Sequence, residues 1–279
     1  MAITYKRFSE LTYEEGHALF LKGFEGYFIP MKLTFDQFTT RFGNEGLSPA
    51  LSVVALEEGV PFGFVLQGIR KVGEMKISWN GGTGIIPSHR GKKLAIGMME
   101  EAERVLLENG VTLQTLEALS QNEPAIALYE RMGYSLTETL RFLSGKGKLV
   151  DELPPLRSFT IERVPAHHPI GETIFPKEAP WQCIPSHGPR AGGEIVLLKK
   201  DEAVTCAVLL RKNYATGDIT LFQVSEGEGI ELLLAHALEM NEEVNRNTYN
   251  LSEKCDRSIA FLMANGFEDA GISQVLMHK

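Results

Sequence analysis

Residues 84–95 combine the residue types that an anion-binding site requires. A short β-branched run ends at Pro87, a basic loop with one glycine covers 88–93, and an amphipathic segment with apolar residues at helical spacing follows over 94–108. A helix that begins directly after such a loop presents unpaired amide N–H groups and the positive end of its dipole. We therefore predict a phosphate or pyrophosphate site here, with a solvated basic loop as the alternative. Its charged residues are Arg90, Lys92 and Lys93, and Gly91 lets the backbone approach a ligand.

The segment just ahead of this loop, residues 80–84, has three glycines in five positions. Glycine inside a strand pattern indicates a bulge or a close approach of the backbone. A bulge would separate this strand from the next one, 111–119, and open a slot between them. An extended ligand rich in amides could pair with the exposed strand edge. Glu117 lies on the second strand, beside the slot.

The elements that must position these residues form an α/β (α+β mixed) pattern. Strand patterns are found at 3–8, 51–56, 62–69, 75–79 and 111–119, and capping-box sequences at Thr12 and Thr34 open two early helices. A last helix begins after Asn122, a good N-cap residue, and ends at Gly133. This order predicts a mixed sheet with helices on its faces.

Composition limits the class of protein. The chain has 279 residues and a net charge of −8, which argues against a general nucleic-acid-binding role. No apolar run approaches the roughly 20 residues of a membrane span, and the start of the sequence shows no secretory signal. Three widely spaced cysteines without a CxxC pair favour a reduced, cytoplasmic protein without disulfides. The spacing of His167, His168, Cys183 and His187 is poor for metal ligands, so no metal site is expected.

Two motifs between residues 90 and 134 resemble those of the GNAT superfamily of acyl-CoA-dependent N-acyltransferases. The family's loop, Arg/Gln-x-x-Gly-x-Gly/Ala at a strand-to-helix junction, is matched by residues 90–95. Its second element, Asn-x-x-Ala-x-x-Leu-Tyr-x-x-x-Gly-Phe/Tyr, is matched by 122–134. The two motifs have the family's order and spacing. One residue departs from the pattern, since Lys93 stands where the family usually has glycine.

The resemblance implies a role for each matched residue. Acetyl-CoA is the implied co-substrate, and its pantetheine arm would pair with the backbone of Ile85 and Ile86 and lie near Asn122. Tyr129 would be the general acid toward the departing CoA thiolate. The amides of the loop and the first helical turn would hold the pyrophosphate, and these residues are Arg90, Gly91, Lys92, Lys93, Leu94 and Ala95.

The residue that deprotonates the attacking amine is not identified by the resemblance. An amine must be neutral to attack, so a base or a water relay is needed. Glu117 is the first candidate because of its place beside the slot. His89 is a second candidate, and a relay of water molecules without a protein base is a further possibility.

The second half repeats the element order of the first: strands, a loop, a helix, a strand, and a helix that ends in glycine and an aromatic residue. Residues 225–230 correspond to 89–94, and Glu226 replaces Arg90. A carboxylate there would repel a pyrophosphate. We therefore expect two GNAT-like domains, each with a mostly antiparallel mixed sheet flanked by helices. Their expected bounds are 1–150 for the acyl-CoA-binding domain, 151–192 for a Pro-rich linker, and 193–279 for a degenerate copy.

The sequence thus predicts an N-acyltransferase that moves an acetyl group from acetyl-CoA to a primary amine, in a ternary complex. The acceptor would be a small-molecule or peptide amine, and the protein a cytoplasmic monomer or homodimer with no nucleic-acid or membrane partner. A non-catalytic acyl-CoA-binding or interaction module on the same fold is the alternative. A nucleotide enzyme is less favoured, because neither GxGxxG nor GxxxxGK[ST] occurs.

Overall fold

The computed structural model describes residues 2–185 and 193–279. The chain forms two compact units, each of which takes in separate stretches of sequence. The first unit consists of Met1–Ala118, Asn122–Thr137 and Met277–Lys279, and the second of Leu119–Gln121 and Glu138–Leu276.

The first unit contains most of the elements that the sequence predicts for the first half. Its sheet has the order β1-β2-β3-β4-β5, antiparallel throughout except for the parallel pair of β4 and β5. The elements in chain order are β1 (Ile3–Arg7), α1 (Tyr13–Gly23), α2 (Phe35–Glu45), β2 (Val53–Glu57), β3 (Val60–Val72), β4 (Met75–Ile85), α3 (Leu94–Glu108), β5 (Leu113–Leu119) and α4 (Glu123–Arg131).

Local sequence determines where the first helices begin. Thr12 accepts a hydrogen bond from the backbone of Glu15, whose carboxylate reaches back to the Thr12 amide, and Thr34 and Gln37 repeat this capping box at α2. The aromatic side chains of both helices then pack in one core, where Phe38 lies 5.3 Å from Phe20 between ring centroids. This core fixes α1 and α2 on the sheet.

The second unit has the same plan. A strand is followed by a short helix, three strands with antiparallel pairing, a helix, a parallel strand and a last helix. The elements from Ser135 onward are β6 (Ser135–Gly145), β7 (Phe159–Pro165), α5 (Ile170–Ile174), β8 (Glu194–Lys200), β9 (Ala203–Lys212), β10 (Ile219–Ser225), α6 (Ile230–Ala237), β11 (Arg246–Thr248), β12 (Leu251–Ser252), α7 (Asp256–Ala264) and β13 (Glu268–His278). The predicted α/β class is confirmed, and within each unit the strands pair mostly antiparallel in a mixed sheet.

The bounds of the two compact units differ from those of the predicted domains in two places, in β6 and at residues 277–279. Strand β6 follows α4, yet from Glu138 it belongs to the second unit, where it pairs with β11 and β12. The last residue belongs to the first unit, where the Lys279 and Gln114 backbones exchange two hydrogen bonds of 2.9 and 3.0 Å. A boundary at 150 and a second domain that includes 277–279 therefore do not describe the compact units. The alternation of apolar residues in a strand indicates which residues face a core. It does not indicate which neighbouring strands the strand pairs with.

The stretch expected to be a linker, 151–192, carries part of the second unit. Strand β7 pairs over its whole length with β8. β7 is the last strand in the strand order. Pro165, its final residue, therefore removes no hydrogen bond from the sheet. Prolines made this stretch look irregular in the sequence, and residues 186–192 lie outside the described part of the chain.

Candidate active site

The site is organised around a bulge in β4. Leu66 pairs with Gly82 and Gln67 with Asn80, so Gly81 is the extra residue of the bulge that the glycine run predicts. Within the described part of the chain, β5 pairs with β4 only over 77–80. The strand edge from Gly82 to Ile85 is thereby separated from β5, and the predicted slot is present.

The backbone groups at this edge do not all face the slot. The Ile86 amide donates to the Phe62 carbonyl at 2.9 Å, so it is already used within the sheet. Since the polar groups of successive strand residues point to alternate sides, those of Ile85 face the slot. Of the two isoleucines predicted to pair with the pantetheine arm, Ile85 directs its backbone groups to the slot, and Ile86 uses its amide within the sheet.

Arg90 connects the loop to two other segments. Its Nε donates to the Ile85 carbonyl at 2.8 Å, and one Nη donates to the Gly23 carbonyl at 3.0 Å. The exposed guanidinium thus holds the end of β4 and the end of α1 next to the loop. It places a positive charge at the mouth of the slot.

The loop enters α3 through left-handed backbone. Gly91 has φ +74°, and Lys93, which is the N-cap residue of α3, has φ +62°. No described side chain caps this helix, so the amides of Leu94 and Ala95 in its first turn are available to an anion. A Cβ on Gly91 would meet no atom within 4 Å, which means that its glycine is required for conformation and not for space within the protein.

Replacing Lys93 by Gly should raise the free energy of unfolding by about 0.5–1 kcal/mol, because an L-residue in the left-handed region carries a penalty that glycine lacks. Urea denaturation measures this. The neighbouring exposed Lys92, which has no positive φ, is the matched control. Lys92→Gly should lower stability by a few tenths of a kcal/mol. Equal effects of the two substitutions would contradict the strain at Lys93.

Tyr129 lies beside the bulged strand. It is 8% exposed, and its hydroxyl lies near the side chain of Thr83, which stands in the separated part of β4. Burial raises the pKa of Tyr129 to about 12, with the Thr83 side chain opposing the increase and the nearby Tyr27 adding to it. The phenol is therefore protonated at neutral pH and able to donate.

Asn122 connects α4 to the loop that joins α1 and α2. Its side-chain oxygen accepts from the Ala125 amide at 3.4 Å and caps α4. The same side chain lies near Tyr27, whose pKa is raised by burial while Asn122 opposes the increase. The closeness of Tyr27 to Tyr129 depends on the packing of this loop.

Glu117 occupies the other face of the sheet. Its Oε2 accepts from the Trp79 indole at 2.5 Å. Neighbouring residues of β5 alternate between faces, and Gln114 on the opposite face binds the hydroxyl of Tyr134, which is next to Tyr129 at 6.0 Å between rings. Tyr129 therefore lies near Thr83, and Glu117 lies against Trp79. The two pairs are on different faces of the sheet at the slot.

His89, the second candidate base, has other partners. Its ring stacks on Phe62 at 4.7 Å between centroids, and its Nε2 lies 3.1 Å from a carboxylate oxygen of Glu57. These contacts hold the short turn Pro87–His89 against β2 and β3.

The corresponding loop of the second unit is arranged differently. Gly229 has φ +83° before α6, as Lys93 has before α3, so the backbone plan is kept. Glu226, the counterpart of Arg90, accepts from the amide of Ser258 at 2.8 Å and from its hydroxyl at 2.6 Å. A carboxylate of the chain itself thus occupies the N-terminus of α7.

Other residues of the second unit also differ in chemistry from the site residues of the first unit to which they correspond. Cys255 stands where Asn122 does, and its Sγ lies 3.9 Å from the Val224 carbonyl on β10. Leu262 stands where Tyr129 does and is completely buried. Glu231, in the first turn of α6, forms an ion pair with Arg257 at 2.8 Å. This loop therefore offers acidic and apolar side chains where the first unit offers basic and polar ones.

Neither a metal-binding cluster nor a membrane-crossing helix occurs among the described residues. No group of three or more His, Cys, Asp or Glu side chains is placed to hold a metal ion, and His187 lies outside those residues. None of the described helices combines the length and the apolar character that a membrane crossing requires.

The two motifs that shape the slot also decide the family. The profile described as "Acetyltransferase (GNAT) family" matches residues 17–134, which include β4, the basic loop, α3 and α4. Residues 17–134 carry a domain of the GNAT family. No curated protein matches the sequence. The family is one of acetyltransferases, so this domain is assigned to acetyl transfer in general.

Solved structures extend the likeness to the whole chain. A GCN5-related glucosamine N-acetyltransferase region of a fungal multi-domain GH3 beta-N-acetylglucosaminidase superposes with a TM-score of 0.70 and 16% identity over all of this chain, which spans 38% of that one. A GCN5-related N-acetyltransferase from Sphaerobacter thermophilus gives 0.62 and 14% identity, with 99% and 95% of the two chains covered. A tandem GNAT protein from the clavulanic acid biosynthesis pathway gives 0.60 and 12%, with 100% and 98% covered. At these identities the likeness shows the fold, and the tandem GNAT architecture is part of it.

Proposed function

We propose that this GNAT protein is an N-acyltransferase that transfers an acetyl group from acetyl-CoA to a primary amine in a ternary complex. The observation that carries the proposal is the open edge of β4, which has an uncapped helix N-terminus at one end and a buried tyrosine hydroxyl beside it. The strand edge, the helix N-terminus and the tyrosine hydroxyl together suit an extended ligand with a diphosphate at one end and a thioester at the other.

The residues present fit coenzyme A along its length. The Ile85 backbone faces the slot and can pair with the amides of the pantetheine arm, near Asn122. The first-turn amides of α3 and the lysines of the loop can hold the diphosphate, and Arg90 adds a positive charge at the mouth of the slot. The bound co-substrate supplies an activated acyl group whose leaving group is a thiolate.

Tyr129 is proposed to assist the departure of that thiolate. A neutral phenol can donate a hydrogen bond, and then a proton, to sulfur as negative charge develops there. The high pKa of Tyr129 keeps its Oη proton in place at neutral pH, so the hydroxyl is available as a donor to the developing thiolate.

Glu117 is the proposed base for the acceptor amine, directly or through water. Its carboxylate lies on the opposite side of the slot from Tyr129, so a proton can be taken from the amine on one side and given to sulfur on the other. The acceptor is a small-molecule or peptide amine in this proposal. A cytoplasmic location and a monomeric or homodimeric state are also proposals.

The second unit is proposed to keep the fold without binding acyl-CoA. Its own Glu226 puts a carboxylate in the loop where the first unit has Arg90 and is bound by Ser258 of α7, and Cys255 and Leu262 replace the polar residues.

Glu226→Ala should lower the free energy of unfolding by about 1 kcal/mol, the usual cost of a lost helix cap, and leave acetyl transfer unchanged. Glu226→Gln keeps an acceptor oxygen and is the matched control, with a smaller loss. Thermal unfolding and a rate assay measure the two quantities. A fall in the transfer rate of the folded Ala variant would show that the second loop takes part in the reaction.

The proposed function is tested by following thiol release from acetyl-CoA with a panel of primary amines, and by calorimetry with CoA. We expect CoA to bind once per chain and thiol to form at the rate of amine acylation. Binding of CoA without thiol formation for any acceptor would favour the alternative, an acyl-CoA-binding module. Failure of CoA to bind would exclude both.

A further inference from the structure

The indole of Trp79 holds the carboxylate of Glu117 from the neighbouring strand. Its Nε1 donates to Glu117 Oε2 at 2.5 Å. An indole N–H is a donor only and an ionised carboxylate is an acceptor only, so the direction of this bond is fixed. The bond stabilises the charged form of the carboxylate, which is the form that can take a proton from an amine. Trp79 is 3% exposed, so the ring has little room to turn away.

The bulge in β4 packs against that ring. A Cβ built on Gly81 would lie 2.6 Å from Cζ3 of Trp79 and 2.7 Å from a methyl carbon of Leu47, and Gly81 has no positive φ, so its glycine is required for space. The Gly81 backbone is also tied from α2, because its carbonyl accepts from Arg41 Nη2 at 2.6 Å. Arg41 is held in turn, since its Nε donates to Glu45 at 2.6 Å. The bulge and the ring therefore fix each other's position.

We propose that Trp79 is a positioning residue that holds the charged Glu117 carboxylate at the face of the slot where the acceptor amine loses its proton, and that Gly81 sets the angle of the indole. The inference rests on the proposed role of Glu117 as the base. The bulge then does two things, because the same extra residue that separates β4 from β5 also leaves the space that the ring of Trp79 occupies.

The indole N–H signal of Trp79 in the NMR spectrum of the isotope-labelled full chain tests the bond without CoA or an acceptor. The chain has two tryptophans, and Trp181→Phe, in the second unit, identifies the signal of Trp79. We expect this signal to move with pH as Glu117 ionises. Glu117→Gln keeps an acceptor oxygen but cannot ionise, so its Trp79 signal should not move. A wild-type signal that does not respond to pH, or that responds equally in Glu117→Gln, would overturn the proposal.

Two neighbouring glycines test the role of the bulge. Gly81→Ala should displace the indole and reduce the pH response of the Trp79 signal, because the added methyl group and the ring cannot occupy the same space. Gly82→Ala is the matched control for this signal, since the nearest atom to its Cβ is a ring carbon of Phe24 at an ordinary 3.4 Å. Circular dichroism checks that both variants fold. Equal signals in the two variants would show that Gly81 does not set the angle of the ring.

Trp79→Phe keeps an aromatic ring and removes the donor. With an amine that is acetylated by the wild type, we expect kcat to fall about tenfold, because the base is less well positioned. The acidic limb of kcat/KM for that amine should move about 1–2 pH units higher, the value of a hydrogen bond to a charged group. The affinity for CoA should stay within about twofold. A lower rate with the limb in its wild-type place would mean that Trp79 has only a structural role.

The outcomes separate this inference from the proposed function. If Glu117→Gln removes the acidic limb and Trp79→Phe leaves it in place, the positioning role alone is wrong. If Glu117→Gln keeps both the limb and kcat, Glu117 is not the base and the positioning role fails with it, while acetyl transfer stands. If no amine releases thiol from acetyl-CoA, both the proposed function and this inference fail.

Discussion

Tyr129→Phe should lower kcat for acetyl transfer by roughly 100-fold or more, within the range found for removal of a general acid or an anion-stabilising donor. The affinity for CoA should stay within about twofold, because the hydroxyl contributes one neutral hydrogen bond to the bound ground state. Stopped-flow or steady-state thiol release measures the first quantity and calorimetry the second. The rate effect belongs to the transition state, where negative charge develops on sulfur.

Tyr134→Phe is the matched control. Tyr134 is also a buried tyrosine, five residues along the chain, but its hydroxyl donates to Gln114 at 3.0 Å and has no role in the proposed reaction. We expect a loss of stability of about 1 kcal/mol and nearly full activity. Equal losses of kcat and CoA affinity in Tyr129→Phe, or equal activities of the two variants, would mean that Tyr129 is structural.

The pH dependence gives an independent check on the same residue. The pKa of Tyr129 is raised to about 12, chiefly by burial, so its acid form persists throughout the range in which the protein can be assayed. Loss of activity at high pH below that value therefore cannot come from Tyr129. The wild type and Tyr129→Phe should show the same position of any alkaline limb of kcat at different absolute rates.

Arg90→Glu should weaken CoA binding by roughly 30- to 150-fold, through loss of a charge near the diphosphate and of charge-assisted hydrogen bonds to the backbone. The substitution breaks the bonds to the Ile85 and Gly23 carbonyls and puts a negative charge beside the loop. The kcat at saturating acetyl-CoA should fall much less. Calorimetric titration with CoA at low and high salt measures the loss, which should shrink as salt screens the charge.

Lys254→Glu is the control for net charge, since it also changes the charge by two and lies in the second unit on an exposed side chain. Its CoA affinity should match that of the wild type. Circular dichroism checks that Arg90→Glu keeps its fold, because Arg90 also connects β4 and α1. A folded Arg90→Glu protein with wild-type affinity would place the diphosphate elsewhere.

The parts of this protein that depend on neighbours in sequence were predicted well. The capping boxes at Thr12 and Thr34, the Asn122 cap and the bulge among the glycines before Ile85 all act within a few residues. Duplication of the fold also followed from the sequence, because each half has its own order of strands and helices. The reversal of charge from Arg90 to Glu226 was apparent from the same comparison.

Tertiary structure alone decided which groups meet. The closeness of Tyr129 to Thr83, that of Tyr27 to Asn122 and the position of Glu117 against Trp79 all join segments far apart in the chain. The Arg90 guanidinium holds two carbonyls, one of them 67 residues away, which no local pattern indicates.

The contrast has a physical origin. Helix caps, turns and strand periodicity are set by the backbone and side chains of adjacent residues, so sequence alone determined the elements, their order and the basic loop before α3. Hydrogen-bond direction, burial and the membership of a strand in one sheet or another depend on packing between distant segments. The tertiary structure therefore decided that Ile86 uses its amide within the sheet, that Lys279 pairs in the first unit, and that Tyr129 is buried.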